Sequence, residues 1–327
     1  YDIGVRLVGS EMCIRDSDGA SDQRAGPRGR ATGPRTDGDR TRGEDLAVAE
    51  LDWHAERADL DGIAHLDREP DGDIDLPAVR KYRMDRVRAQ MAELGMDAVI
   101  LSDPVNIRYA TGARNMQVFS MRNAPSRYLL LTQDRSVLYE FTGCMHLAEG
   151  LETIDEIRPA RTASFVAAGP FIGARERAWA DDMAQELSRL VGDRATVGLE
   201  RMNAGAAIEL NGKGIRVVDA QYALELARAV KSDEEMKCVR ASLRATERGV
   251  AALRAAIEPG LTEAELWSVL HGSVIAQDGD YIETRLLNAG QRTNPWFQET
   301  SRNVIGPDEL IALDTDVVGC FGYYSDF

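Results

Sequence analysis

The sequence predicts two linked domains, an α/β unit followed by an α+β unit, and three observations carry that prediction. Short apolar runs alternate with helical stretches over residues 76–225, the pattern of a sheet covered by helices. Two capping-box signatures, Ser232 with Glu235 and Thr262 with Glu265, then open two further helices. The last eighteen residues, Leu310 to Phe327, read as a strand, a turn-rich segment and a returning strand that bear three aspartates.

The chain has 327 residues, about right for two domains, and 44% of them are hydrophobic, enough for substantial cores. A net charge of −15 argues against a nucleic-acid or anionic-membrane partner, each of which needs a basic face. No apolar run approaches the length of a membrane span. Cys13, Cys144, Cys238 and Cys320 are scattered and read as reduced cytosolic thiols. His54, His65, His146 and His271 form no metal-ligand spacing, and His271 reads as a surface or packed residue.

The chain begins at Tyr1, and Val8 to Asp16 looks like translated adapter sequence, set apart from the fold. Residues 17–45 are rich in Gly, Arg, Asp and Pro without periodicity and read as disordered, so 1–50 forms no predicted domain. Order is expected to begin near residue 50 and to be firm from Leu76. Pro77 suits a first helical turn, Met84, Val87, Met91 and Leu94 give one apolar face, and Gly95 stops the helix. Ala98–Leu101 is a buried strand, broken at Asp103-Pro104, which with Asn106 shapes a turn before a new element. Tyr128–Thr132 and Ser136–Phe141 are strands, followed by a helix over Arg177–Leu190. A strand at Thr196–Leu199, a helix at Ala204–Leu210 and a strand at Ile215–Val218 complete the first domain.

From Lys231 a helix of about 25 residues carries Met236, Val239, Leu243, Val250, Leu253 and Ile257 at helical period, ending at Glu258-Pro259-Gly260. The next helix carries Leu266, Val269, Leu270 and Val274, and Glu283–Asn288 and Leu310–Asp314 are strands. Asp314 and Asp316 stand at i and i+2, so strand alternation points both carboxylates to one side. If Gly319–Gly322 reverses the chain, Asp326 returns beside Asp316. Three converging carboxylates repel one another unless a cation lies among them, and hard divalent metals take such ligands. An Asp-x-Asp in a loop with no ligand is the plainer alternative.

Lys231 to Glu235, the long helix, and Glu258 to Glu263 resemble the opening of the catalytic domain of the pita-bread metallopeptidase superfamily, which includes creatinase, aminopeptidase P and prolidase. Asp103 to Tyr109 within residues 76–225 resembles its creatinase-type N-terminal domain. The resemblance implies an α/β N-terminal creatinase-like domain over 51–228 and the first part of an α+β pita-bread domain over 229–327. Tyr281 to Leu287, Arg292 to Glu299, Asp314-Thr315-Asp316, Asn106 to Thr111 and Asn115-Met116-Gln117 are similar to the metal-dependent dimethylsulfoniopropionate lyases of marine bacteria. The peptidases carry a histidine before the first metal aspartate, and Asn288 to Glu299 holds none.

That resemblance implies two divalent metal ions, iron, manganese, zinc or similar, held by Asp314, Asp316 and Asp326. It implies a small zwitterionic substrate or a short peptide, a homodimer and a cytoplasmic setting. The superfamily completes its site with one histidine and two glutamates from later strands, and the lyases' proposed base is a later aspartate. The catalytic residues are therefore expected beyond Phe327, and the chain as given is expected to be an inactive fragment with unpartnered strands at its C-terminal edge. A sulfonium cation wants an aromatic face. Trp296 and Tyr323 are the substrate-binding candidates, with a core or dimer-interface position as the plainer role of Trp296 and alternate strand faces that of Tyr323 and Tyr324. Arg285 and Arg292 read as surface or salt-bridged residues outside the site. The expected reaction is a β-elimination, with Xaa-Pro amide hydrolysis and a non-catalytic binding module as alternatives.

Overall fold

A computed structural model describes residues 74–115 and 126–327. The readings for residues 1–73, including His54, His65 and the N-terminal segment, and for Met116-Gln117 lie outside the described residues. Helix α1 (Leu76–Glu93) starts where Asp75 accepts a hydrogen bond from the Ala78 N–H at 3.0 Å and Pro77 enters the first turn. Its buried stripe is Val79, Arg83, Met84, Val87, Gln90 and Met91. Leu94, expected on that stripe, lies past the last helical turn and is 37% exposed.

The first domain is a mixed six-stranded sheet between two helical layers. It comprises β1 (Ala98–Leu101), β2 (Tyr128–Thr132), β3 (Ser136–Glu140), β4 (Glu156–Pro159), β5 (Thr196–Leu199) and β6 (Arg216–Asp219), in the order β4-β3-β2-β1-β5-β6. The β1–β5, β5–β6 and β3–β4 pairs are parallel, and β2 is antiparallel to both its neighbours. Period-two alternation assigns the faces. Val99, Leu101, Leu129, Leu131 and Leu138 join one core with α1, α2 (Pro104–Thr111) and α6 (Gln221–Ala229). Ala98, Ile100, Tyr128, Leu130 and Val137 join the other. That second core is closed by α4 (Ile172–Val191) and α5 (Ala204–Gly212), which follow the short α3 (Phe165–Ala168). Each large apolar side chain so buried contributes about 1.5–3 kcal/mol. Asp103 is the N-cap of α2, accepting from the Val105 N–H at 2.8 Å, so the expected turn is a helix start.

The second domain opens with α7 (Asp233–Ala255) and α8 (Glu263–Ile275), both with complete capping boxes. The apolar face expected of α7 is buried only in part: Leu253 is in the core and Val250 packs against it. Cys238, Ser242, Ala245, Thr246, Gly249 and Leu253 turn inward, while Met236, Leu243 and Ile257 are 39%, 38% and 43% exposed. Close approach is the reason. A Cβ added at Gly249 would lie 2.8 Å from Leu270 Cδ1, and one at Gly319 would lie 2.8 Å from Ser242 Cβ. Only small side chains let α8 and the C-terminal strands come this near.

Of the strand expected over Glu283–Asn288, only the part from Leu286 onward is strand, and a separate short strand precedes it. β7 (Tyr281–Ile282) joins β10 (Asp316–Val318) and β11 (Tyr324–Asp326), whereas β8 (Leu286–Ala289) pairs with β9 (Ile311–Asp314). The divergence lies at Glu283 to Arg285, where the Glu283 N–H bonds the Asp316 carbonyl and the Arg285 carbonyl accepts from Thr300. Leu253, Leu266, Leu270, Val274, Leu287 and Val317 form the core between these sheets and the two helices. Among the described residues no helix is long and apolar enough to cross a membrane.

Candidate metal site and the domain junction

The β10–β11 hairpin places Asp316 directly opposite Asp326. Thr315 and Phe327 exchange both backbone hydrogen bonds at 3.2 Å, so by alternation Asp316 and Asp326 form a non-hydrogen-bonded pair. That is the position of closest side-chain approach in an antiparallel ladder, at a Cα separation of about 4.5 Å. Like charges placed there repel. The turn residues Phe321 and Gly322 take φ values of 65° and 76°, which reverse the chain tightly enough to set this register.

Asp314 ends the neighbouring β9, opposite Leu286. Burial first, then the charges of Asp326 and Asp316, push its carboxyl above the usual range. Burial and Asp316 do the same to Asp326. Asp316 is 5% exposed, and the Thr284 hydroxyl donates to its carboxylate. Thr284 is a residue that sequence reasoning passed over. Its signal was its place two residues after Ile282, which lies opposite Val317 beside Asp316.

The structure thus brings Asp316 and Asp326 together across one strand pair and sets Asp314 within electrostatic reach of both. The donors are hard oxygen atoms, which suit a divalent cation. Their gathering is nonetheless incomplete: among the described residues no three His, Cys, Asp or Glu side chains stand close enough to hold a metal ion.

Trp296 is half-buried on the loop after a 3-10 turn at Gly290–Thr293, its ring 6.3 Å from that of Phe297. The loop is anchored from beneath by Glu263, which is fully buried. Glu263 accepts from the Ala289 N–H, the Ser301 N–H and hydroxyl, the Asn303 amide and the Arg292 guanidinium, at 2.8–3.2 Å. Burial works to raise its pKa, but these donors outweigh it and hold the carboxyl below its ordinary value. Arg292 is therefore salt-bridged, and it also donates to the Glu299 carbonyl at 2.8 Å. Arg285 lies 3.7 Å from Glu299 with its guanidinium over the Trp267 ring.

Tyr323 faces the junction between the domains. Its hydroxyl donates to Glu235 and accepts from Arg83 at 2.6 Å, and the Arg83 guanidinium lies 4.9 Å from its ring centroid. Burial chiefly, and Glu235 against the opposing pull of Arg83, raise its phenol above the ordinary range. Tyr324 donates to Glu283 at 2.8 Å. Arg83 and Glu235, an ion pair at 3.1 Å with 7% and 1% exposed side chains, join α1 to α7. A second tie is Asp280, which receives Arg108 and Arg114 from the first domain and donates its own N–H to the Val318 carbonyl of the hairpin. These pairings are long-range, and no local pattern announces them.

Comparison with known proteins agrees with this two-part architecture. Residues 83–230 match the family described as Creatinase/Prolidase N-terminal domain, and residues 237–327 match Metallopeptidase family M24. The chain is 31% identical, over 86% of its length, to dimethylsulfoniopropionate lyase DddP of Roseobacter denitrificans, and spans 61% of that protein. It is 30% identical, over 77% of its length, to the DddP of Roseovarius nubinhibens, and spans 58% of it. Among solved structures it is similar to an Xaa-Pro dipeptidase from Bacillus anthracis, with a TM-score of 0.59 and 17% identity over 76% of this chain and 63% of that one. A prolidase from Thermococcus sibiricus gives a TM-score of 0.60 and 14% identity over 78% of this chain and 65% of that one. These structural likenesses, at such identities, speak to fold alone.

Proposed function

We propose that this chain, which belongs to the pita-bread metallopeptidase superfamily through its creatinase-type and M24 domains, is part of a lyase that cleaves dimethylsulfoniopropionate to dimethyl sulfide and acrylate. The observation that carries the reading is the 31% identity to a lyase of that name over 86% of this chain. The chain spans 61% of that relative, so the activity proposed is that of the whole protein.

The reaction is a β-elimination. A base takes a proton from the carbon next to the substrate carboxylate, the electron pair forms the double bond, and the carbon–sulfur bond breaks to release the neutral sulfide. A divalent cation, when bound, supplies positive charge that receives the substrate carboxylate and acidifies the adjacent C–H. Asp314, Asp316 and Asp326 are the residues that would hold it, with Asp316 oriented by the Thr284 hydroxyl. Trp296 offers the sulfonium an aromatic face, on a loop whose shape Glu263 fixes. Tyr323, our other candidate for that face, has Arg83 over its ring, which leaves Trp296 the stronger choice. No described residue is assigned as the base. The same reading carries two divalent ions, a small zwitterionic substrate, a cytoplasmic setting and a homodimer.

Xaa-Pro peptide hydrolysis is the second reading, favoured by the likeness of fold to prolidases. The absence of histidine from residues 288–299 speaks against it. The test is to load the intact gene product containing this chain with iron, manganese or zinc and supply dimethylsulfoniopropionate or an Xaa-Pro dipeptide. Dimethyl sulfide with no free amino acid is the expected result. Free amino acid with no sulfide overturns the lyase reading.

A further inference from the structure

Between the two domains lies a cavity of about 350 Å³ that is separate from the aspartates. It opens at the tip of the β10–β11 hairpin, beside Cys320 and Phe321, whereas Asp316 and Asp326 stand at the hairpin's other end. Four arginines line it: Arg80 and Arg83 from α1, Arg108 from α2 and Arg114 from the segment after α2.

Among the described residues, three carboxylates pair with these four arginines. Arg80 pairs with Glu152 and Arg83 with Glu235, but Arg108 and Arg114 share the single carboxylate of Asp280. None of those three partners lines the cavity. Asp278 does, on the exposed side where Arg114 also meets water. Arg108 is 17% exposed, and its pKa is lowered by burial first and, against the pull of Asp280, by the like charges of Arg114 and Arg83. Guanidinium groups gathered around a partly closed space, two of them sharing one carboxylate, favour an anion. The planar fork of arginine matches a carboxylate with two parallel hydrogen bonds. Leu76, Val79 and Phe321 supply an apolar wall beside that fork.

We infer that this cavity binds a small monocarboxylate with a short apolar tail, at a site joining the two domains. Arg108 and Arg114 take the carboxylate, and Leu76, Val79 and Phe321 take the tail. A ligand held there touches α1, α2 and the hairpin together, so its binding steadies the junction. The inference does not rest on the lyase reading.

The test is made on the 327-residue chain stripped of metal on a chelating resin, so that no bound ion at the aspartates can hold the probe. Thermal unfolding is followed against rising sodium propionate at constant ionic strength, with sodium chloride as the balancing salt and inorganic phosphate as a second series. The expected result is a saturating rise in Tm with propionate alone. In Arg114→Gln, at a side chain 58% exposed, the midpoint concentration should rise about tenfold, and Arg114→Lys should recover part of the loss. Arg285→Gln, a charge change outside the cavity, should leave the midpoint where it was. Equal responses of the parent chain and Arg114→Gln overturn the inference, as does a propionate response no larger than that to chloride. Saturation by phosphate and not by propionate overturns the carboxylate assignment.

Discussion

Arg108 of the first domain rests on Gly322 of the second, so closely that a Cβ at residue 322 would lie 2.7 Å from the Arg108 Nη1. Gly322 also takes a φ of 76°, a conformation that L side chains adopt at a cost of roughly 1–2 kcal/mol. Gly322→Ala should therefore lose at least that much stability in urea unfolding. An unchanged midpoint would show that the turn is not held as described.

Asp326→Asn should stabilise the metal-free chain by about 0.2–1 kcal/mol, because it removes a like charge directly opposite Asp316. The same change should weaken the uptake of manganese or zinc, read by calorimetry. A fall in the metal-free Tm would show that the pair does not repel.

The pKa values of Asp314 and Asp326 are raised, so their contribution to stability is full below the ordinary carboxylate range and is lost as pH rises through their folded values. Metal competes with those protons. The gain in Tm on adding manganese should thus grow as pH rises from about 4 to 7. A gain independent of pH in that window would place the ion elsewhere.

Glu200 offers a pH response of a different origin. Burial, then the nearby charge of Asp103, push its carboxyl up to about 7, against hydrogen bonds from the Asn106 amide and the Asp103 N–H. Its contribution is complete below about 4.5 and lost as pH climbs through about 7, a change on the order of 3 kcal/mol. Glu200→Gln should flatten Tm against pH between those values. A profile identical to the parent would assign the dependence to other groups.

Glu263→Ala should cost about 3–5 kcal/mol, because it leaves Arg292 and several backbone and side-chain donors without their shared acceptor. Trp296 fluorescence should change with it. The Glu263 carboxyl sits below its ordinary value, so its contribution is present above the ordinary glutamate range and fades as pH falls through the folded value.

Much of this was legible in residue order. β1, β2 and β5 announce themselves as apolar runs, and the hairpin register follows from period two and a glycine-bearing turn. The edge strand β4, Glu-Ile-Arg-Pro, carries no such run because it is only half covered, so no local signal marks it. α7 misled in part because its apolar period includes Met236, Leu243 and Ile257 on the more exposed side, while the side that packs is built largely of small and polar groups beside Leu253. Glu263, Thr284 and the Arg83–Glu235–Tyr323 network act across long separations, which no local spacing encodes.

The Arg83–Glu235 pair limits the modularity of this chain. Cutting between α6 and α7 would leave a guanidinium on one piece and a carboxylate on the other, each shaped for burial and each now facing solvent alone. Expressed apart, the two halves would carry complementary adhesive scars, prone to wrong partners until they met again.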